Sequence, residues 1–227
     1  MSGTAPLKTQ NAATEADHRI GNSLALLGGL VRLQANAIGK TGKSYSPAET
    51  RLLLDGIAAR ISTVAQVHHR LAKMPEGVVV FGPHLHEICS GLIAAFSSEQ
   101  QPVHIDYRYS NCMVPTRYVQ PLTLIVNELI LNSLKYAHPA GVPLRLTVTC
   151  DAKNGVLVLT VDDDGVGLPE GFDPKRDGDL GFRVIRSLCE ELHATLDVQS
   201  SSLGTSFEIT VPDAVAAGVV AANAQTA

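Results

Sequence analysis

Two apolar stripes of helical period are the feature that most constrains the fold of this chain. Apolar residues recur every three or four positions between residues 20 and 38, and again between 53 and 71. This spacing predicts two amphipathic helices. Between them lies the glycine- and serine-bearing stretch GKTGKSYS, and Ser46-Pro47 is typical of a helix N-terminus. Stripes this wide need more cover than one hairpin provides, so we expect residues 11–74 to form a helical hairpin that pairs with a second copy as a four-helix bundle.

After Gly77 the pattern changes to short strand-like segments that alternate with helical ones. We predict strands at 78–81, 103–109, 144–150, 156–161, 195–200 and 206–211, and helices at 83–96, 116–137 and 180–192. The expected fold class is α+β: an N-terminal helical hairpin that dimerises into a four-helix bundle, then an α/β sandwich. The predicted domains are 11–76 and 77–212, between a flexible N-terminus, 1–10, and a tail, 213–227.

Composition and charge argue against several classes of protein. A net charge of −4 and a pI near 6.0 give no electrostatic reason to expect a nucleic-acid partner. No apolar run is long enough for a membrane span, and the N-terminus lacks the layout of a signal peptide. The four cysteines stand far apart without a CxxC, which favours reduced thiols over a metal site or disulfides. We therefore expect a soluble, cytoplasmic protein.

The long helix predicted at 116–137 carries a polar row. Glu128, Asn132 and Lys135 follow each other at i, i+4 and i+7 and so share one helical face. The side-chain oxygens of Glu128 and Asn132 suit Mg²⁺ beside phosphates, because Mg²⁺ prefers oxygen ligands and keeps several waters. A solvated helix face is the alternative interpretation.

Three glycine-bearing segments follow. The segment DDDGVGLP, 162–169, comes directly after the strand-like VLVLTV, so it places a carboxylate at a strand end where glycines allow a flat ligand to approach the backbone. An acidic turn or a calcium loop is the weaker alternative, because the spacing of an EF-hand is absent. The segment DGDLGF, 177–182, opens a helix whose free N–H groups suit phosphate. The segment GTSF, 204–207, begins the last strand.

In this order and spacing, the four segments resemble the ATP-binding domain of the histidine kinase, gyrase, Hsp90 and MutL superfamily over about residues 78–212. NELILNSLKYA resembles its N box, DDDGVGLP and DGDLGF its first and second glycine boxes, and GTSF its terminal box. The resemblance implies that ATP and Mg²⁺ are the ligands. It assigns Asn132 to Mg²⁺ and Asp163 to the adenine amino group. Glu128 takes the position of the general base of the ATPases, or a supporting role for Mg²⁺ in kinases.

The remaining matches assign further residues to nucleotide binding. Lys135 is expected to approach the phosphates, and Gly165 and Gly167 to shape the adenine pocket. Gly178 and Gly181 belong to the second glycine box, where Gly181 starts the phosphate-side helix, and Thr205 belongs to the terminal box.

The second glycine box departs from the family pattern. Asp177 and Asp179 stand where a fuller motif carries glycines, which places negative charge near the phosphates. The segment between the two boxes is also short, while Lys175 and Arg176 would offset the acids electrostatically.

The segment EADHRIGNSL, at 15–24, can be interpreted once an ATP-binding domain is expected downstream of it. His18-Arg19-Ile20-Gly21-Asn22 resembles the HRxxN phosphoacceptor box of the second dimerisation-and-phosphotransfer subfamily of histidine kinases, close to the HWE kinases. The chain has no tryptophan, and its N box begins with Asn127 where HWE kinases have histidine. The resemblance implies that His18 accepts the phosphoryl group. Asp17 would polarise the imidazole, Arg19 would balance the phosphoryl charge, and Asn22 would hydrogen-bond the ring or the phosphoryl group.

The sequence thus predicts a sensor-less two-component histidine kinase that autophosphorylates His18 from ATP. The phosphoryl group would pass to an aspartate in the receiver domain of a response regulator. Homodimerisation through the N-terminal helices and a sensor protein acting in trans complete the expected partners, with no nucleic acid. Two alternatives stay open: a histidine phosphotransferase with a degenerate nucleotide domain, and a non-catalytic module that sequesters a partner.

Overall fold

The computed structural model describes residues 28–29, 31–32, 35–36, 39, 46–71, 77–97, 102–138, 142–178 and 180–215. The chain divides into two compact units, with the division between Met74 and Pro75. The predicted limits of the terminal segments lie mainly outside the described residues and stay predictions. None of the described helices is long and apolar enough to cross a membrane.

The first unit contains helix α1, Pro47–Leu71. Its first turn is fixed at Ser46, whose carbonyl oxygen accepts hydrogen bonds from the amide and the hydroxyl of Thr50. Val64 and Val67 of the predicted stripe are buried, whereas Ile61 is 45% exposed. Every described position between 28 and 39 is helical, as the first stripe predicted. The four-helix bundle itself stays a prediction.

The second unit is built around a five-stranded sheet. Its elements in chain order are β1 (Val78–Val80), α2 (Phe81–Phe96), β2 (Val103–Tyr109), β3 (Met113–Pro115), α3 (Thr116–Tyr136), β4 (Leu144–Lys153), β5 (Val156–Asp163), α4 (Leu180–Glu191), β6 (Thr195–Ser201) and β7 (Gly204–Val211). The strand order is β2-β4-β5-β7-β6, in which only the pair β2–β4 is parallel. Strands β1 and β3 form a separate antiparallel pair.

One face of the sheet is apolar because side chains along a strand alternate between its two faces. Alternate residues of β4, β5 and β7 are buried beneath the helices: Leu144, Leu146, Val148, Leu157, Leu159, Val161, Phe207, Ile209 and Val211. Helices α2, α3 and α4 contact β2, β5 and β6 respectively. On the other face, the Thr149 and Thr160 hydroxyls lie 2.9 Å apart across the β4–β5 pair. This is the predicted two-layer sandwich, and the mixed α+β class is confirmed.

The structure corrects several details of the predicted elements. Strand β1 ends at Val80, and Phe81 begins α2, two residues before the predicted start of that helix. The connection between β4 and β5 is a two-residue turn at Asn154-Gly155 rather than the five residues 151–155, because both residues take positive φ, 53° and 82°, and so form the tight turn that a twisted hairpin prefers. Strand β3 was not predicted, since three residues directly before a helix carry no periodicity. At its other end β5 extends to Asp163, which brings this carboxylate to the end of the sheet.

Candidate nucleotide site

The polar row of α3 is buried. Asn127 and Glu128 are 0% exposed and Asn132 is 5% exposed, within an unbroken buried run from Pro121 to Ser133. The alternative interpretation, a solvated helix face, is therefore wrong for Glu128 and Asn132. Lys135, one turn later, is half-buried. Burying polar side chains costs free energy unless they find partners, so these residues are held inside the unit rather than on a solvated surface.

Asp163 is held at the end of β5 by three hydrogen-bond donors. Its Oδ1 accepts the amides of Gly165, at 3.0 Å, and Thr205, at 3.1 Å, and its Oδ2 accepts the Ser133 hydroxyl at 2.8 Å. Residue 205 is its register partner on β7, and Ser133 comes from α3. Three elements thus converge on one carboxylate and fix its orientation, while its oxygens keep lone pairs for a further donor.

The loop after Asp163 passes close to the end of α3. A Cβ atom on Gly165 would lie 2.6 Å from the backbone of Ala137, and the amide of Val166 donates to the Ala137 carbonyl at 2.8 Å. Any side chain at position 165 would push the loop off the helix. Gly167 has a φ of +79° and faces the Ser201 carbonyl, so it too is confined to glycine.

A small cavity of about 40 Å³ lies between these elements. Its lining consists of Asn132, Ser133, Tyr136, Ala137, Asp163, Gly167, Leu168, Phe182, Thr205 and Phe207. Of the predicted site residues, Asn132, Asp163, Gly167 and Thr205 meet here. Glu128, Lys135, Gly165, Gly178 and Gly181 do not line the cavity. Pockets that enclose a whole ligand usually hold roughly 300–1,000 Å³, so this cavity is small by comparison.

Sequence reasoning missed several members of the site. Ser133 stands beside the predicted Asn132, and only the fold shows that it faces Asp163. Phe182 and Phe207 form the apolar part of the wall, with their ring centroids 5.9 Å apart. Phe207 lies within the predicted terminal box and Phe182 ends the predicted second box, but an aromatic residue in a motif is most often a core residue.

His138 and Asp164 form a second link between α3 and the loop. Nε2 of His138 lies 2.9 Å from Asp164 Oδ1, which also accepts the Arg145 amide at 2.9 Å. Partial burial raises the pKa of Asp164, but the hydrogen bonds from Arg145 and from His138 outweigh it and hold the pKa below its ordinary value. The two residues are 26 positions apart, and no spacing in the sequence pairs them.

Replacing Asp164 with Asn is expected to flatten the acid side of the stability profile. A carboxylate with a lowered pKa in the folded state stabilises the protein above its unfolded pKa, and this contribution is lost as the pH falls through the folded value. Wild-type protein should therefore lose more stability than D164N between about pH 5 and pH 3. Urea unfolding at a series of pH values measures the difference. Asp197→Asn on β6 controls for the loss of one charge, and parallel profiles for wild type and D164N would contradict the prediction.

The predicted phosphoacceptor box lies outside the described residues. This applies to His18, Asp17, Arg19 and Asn22, and in the second glycine box to Asp179. Their roles stay predictions from the sequence. Arg176, predicted to offset the acids of that box, has its Nε 3.5 Å from Asp173 Oδ2.

The residues of the cavity fit ATP and Mg²⁺. The amide nitrogen Nδ2 of Asn132 is buried without a hydrogen-bond partner among the described residues. As a donor it suits an acceptor such as a phosphate oxygen, and the Oδ1 atom of the same side chain is of the type that binds Mg²⁺. In the part of the chain that the structure describes, no cluster of three His, Cys, Asp or Glu side chains is arranged to hold a metal ion. A Mg²⁺ ion that arrives with ATP would be held by the Oδ1 atom of Asn132 together with phosphates and water, as is usual for this ion.

Two protein families match the chain. The family described as "Histidine kinase" matches residues 15–96, and the family "Histidine kinase-, DNA gyrase B-, and HSP90-like ATPase" matches residues 118–215. The first includes the predicted phosphoacceptor box, and the second includes the whole cavity lining. The matches agree with the superfamily that the four sequence boxes resemble.

Curated relatives and solved structures agree with these matches. The chain is 27% identical over 207 residues to blue-light-activated histidine kinase 2 of Erythrobacter litoralis, and 28% identical over 204 residues to sensor histidine kinase PdtaS of Mycobacterium tuberculosis. The alignments cover 87% of this chain but only 56% and 38% of those proteins. The histidine kinase domain of the Erythrobacter litoralis EL346 kinase shares the fold, with a TM-score of 0.66 at 23% identity, over 89% of this chain and 94% of that domain.

Proposed function

We propose that this chain, which belongs to the histidine kinases by its two family matches, transfers the γ-phosphoryl group of ATP from its C-terminal ATPase-like domain to His18. The observation that carries the proposal is the convergence of α3, β5 and β7 on Asp163 beside the buried Asn132. That arrangement supplies what an adenine nucleotide needs, while the HRxxN box supplies a nucleophile.

We propose that Asp163 recognises the adenine base. Its carboxylate can only accept hydrogen bonds while the three protein donors hold it in place, so it suits the amino group of adenine. Guanine presents a carbonyl oxygen at the same ring position, which would face the carboxylate without a proton between them. We therefore propose ATP, rather than GTP, as the substrate.

Asn132, Glu128 and Lys135 are the proposed phosphate side of the site. Asn132 would supply an oxygen to Mg²⁺, which neutralises phosphate charge when bound, and Glu128 would support the water around the ion. Lys135 would approach the phosphates with its ammonium group. Gly178 and Gly181 would bring the N-terminus of α4 to the same end, where the helix dipole favours phosphate.

In the proposed reaction a ring nitrogen of His18 attacks the γ-phosphorus atom. The bond from this phosphorus to its bridging oxygen breaks, ADP leaves, and Asp17 stabilises the charge that develops on the imidazole. Positioning and charge neutralisation would account for most of the catalysis, as in other phosphoryl transfers. The phosphohistidine would then transfer its phosphoryl group to an aspartate of a receiver domain that docks beside His18.

A homodimer through the N-terminal helices is part of the proposal. Leu54 is 60% exposed and Ile61 45% exposed on α1, one heptad apart on the same helix face. A second copy of the helical hairpin would cover these side chains and complete a four-helix bundle. Four free thiols suit a reducing compartment, and we place the protein in the cytoplasm.

The second candidate function is a histidine phosphotransferase whose nucleotide domain no longer binds ATP. Two observations favour it: the acidic residue Asp177 in the second glycine box and the small volume of the cavity, about 40 Å³. In that case His18 would accept a phosphoryl group only from a phosphorylated receiver domain.

Incubation with γ-labelled ATP and Mg²⁺ tests the proposed function. Wild-type protein is expected to acquire an acid-labile, base-stable label that is absent from His18→Ala. His69→Ala serves as a matched control, because it removes an exposed histidine of α1 and should keep the label. An unlabelled wild type that accepts phosphoryl groups from a phosphorylated receiver domain would establish the second candidate instead.

A further inference from the structure

Arg186 of α4 fastens the loop that joins the two glycine boxes. One nitrogen, Nη1, donates to the Pro174 carbonyl at 2.8 Å and to the Asp177 carbonyl at 2.7 Å. These carbonyls lie at either end of a turn, and the guanidinium reaches them from a residue 12 and 9 positions further along the chain. Hydrogen bonds from a charged donor are stronger than neutral ones, so this clasp is a substantial restraint on a surface loop.

The turn that Arg186 fastens is ordered by its own aspartates. Oδ1 of Asp173 accepts the Lys175 amide at 2.9 Å, and Oδ2 of Asp177 accepts the Asp173 amide at 2.9 Å. The amide of Asp177 in turn donates to the Asp173 carbonyl at 2.8 Å. The Asp177 carboxylate thus bonds to the backbone of its own turn. Its presence in place of glycine is explained by the turn, and the clasp and the aspartates together hold residues 173–178 in one conformation.

The same loop rests on a wall of the nucleotide cavity. Gly178 has a φ of +98°, and a Cβ atom there would lie 2.6 Å from the ring of Phe182, so the backbone runs directly against that ring. Phe182 lines the cavity and packs against Phe172, with ring centroids 5.2 Å apart. Phe182 and Arg186 are four residues apart on α4 and therefore lie on the same side of the helix. The aromatic contact and the clasp restrain the loop from one helix face.

We propose that Arg186 is a positioning residue for nucleotide binding, which keeps residues 173–178 folded against α4 before ATP arrives. The inference rests on the proposed function, since it assumes that ATP enters the cavity that Phe182 lines. A loop that is already ordered loses little conformational entropy when a ligand binds, whereas a free loop must be ordered at the expense of affinity. Removing the clasp should therefore weaken ATP binding without altering the transfer step.

Replacing Arg186 with Ala tests the inference by three measurements. In hydrogen exchange without nucleotide, the amides of residues 175–178 should exchange at least several-fold faster in R186A than in wild type. In titration with a fluorescent ATP analogue, the dissociation constant should rise about tenfold. In autophosphorylation the KM for ATP should rise by a similar factor, while kcat stays within about twofold.

Two further variants separate the clasp from its alternatives. R183A removes an exposed arginine from the same helix and should leave all three measurements unchanged, which controls for net charge. R186K keeps a charged donor at the position and should recover part of the affinity and of the amide protection. It also tests the clasp should R186A fold poorly.

The possible outcomes separate three claims: that Arg186 orders the loop, that this order aids ATP binding, and that the protein binds ATP at all. Unchanged exchange in R186A would overturn the clasp, and faster exchange with unchanged or tighter ATP binding would overturn its role in nucleotide binding. Should the wild type itself fail to bind the analogue, the proposed function fails, and the exchange measurement still decides whether Arg186 orders the loop.

Discussion

Replacing Asp163 with Asn is expected to lower the affinity for ATP by roughly a hundredfold or more and to leave the fold intact. The asparagine can keep its oxygen toward the amides of Gly165 and Thr205, while its nitrogen donates to the Ser133 hydroxyl, which can turn toward the Leu129 carbonyl 3.3 Å away. The protein contacts are thereby satisfied. The adenine amino group would instead meet a second donor, and a site built to accept a hydrogen bond rejects such a mismatch strongly.

Isothermal titration with ATP and Mg²⁺ measures this loss, and thermal unfolding checks the fold. Asp162→Asn is the matched control, because residue 162 points to the opposite face of β5 and should bind ATP as the wild type does. Asp163→Ala should show the same loss of affinity together with a lower melting temperature, since it leaves the amides of Gly165 and Thr205 without this acceptor. D163N that bound ATP normally would remove Asp163 from the site.

The fold of the ATP-binding unit could largely be predicted from the sequence, because its signals are periodic. Buried strands and amphipathic helices repeat their apolar residues at the spacing of their own geometry, and glycines and prolines mark the ends. The features that were predicted wrongly are a very short strand and a turn whose length depends on backbone conformation. Strand β3 has three residues and no period, and the length of the β4–β5 hairpin depended on the positive φ of Asn154 and Gly155.

Only those residues of the candidate site that belong to recognisable sequence motifs could be predicted. Asn132 and Asp163 belong to sequence motifs, the N box and the first glycine box, in which the residue types themselves indicate a role in binding. Ser133 and Arg186 are ordinary residues in a sequence, and they acquire roles only because α3 faces β5 and α4 turns back over its own preceding loop. Contacts made between elements distant in the chain leave no local pattern, which is why these two residues escaped prediction.

Replacing Leu129 with Ala is expected to destabilise the ATP-binding unit by about 2–5 kcal/mol. Leu129 is 0% exposed, in the middle of the buried run of α3, so truncation removes its contacts and leaves a cavity in the core. Urea unfolding measures the loss. Leu203→Ala is the control, since this leucine is 85% exposed and its truncation should change stability by less than about 0.5 kcal/mol. A loss below about 1 kcal/mol for L129A would mean that α3 contributes little to the core.

L129A and D163N should gain different amounts of stability from ATP, because one face of α3 packs in the core and another faces the nucleotide site. L129A keeps Asn132, Ser133 and Asp163, so ATP at a hundredfold excess over its dissociation constant should return about 2.7 kcal/mol of stability by binding only the folded state. D163N begins with nearly normal stability and should gain only about 0.4 kcal/mol or less at the same ATP concentration, because its affinity is a hundredfold weaker or more. Melting curves with and without ATP and Mg²⁺ make this comparison. Equal gains in both variants would show that the stabilising nucleotide binds somewhere other than beside Asp163.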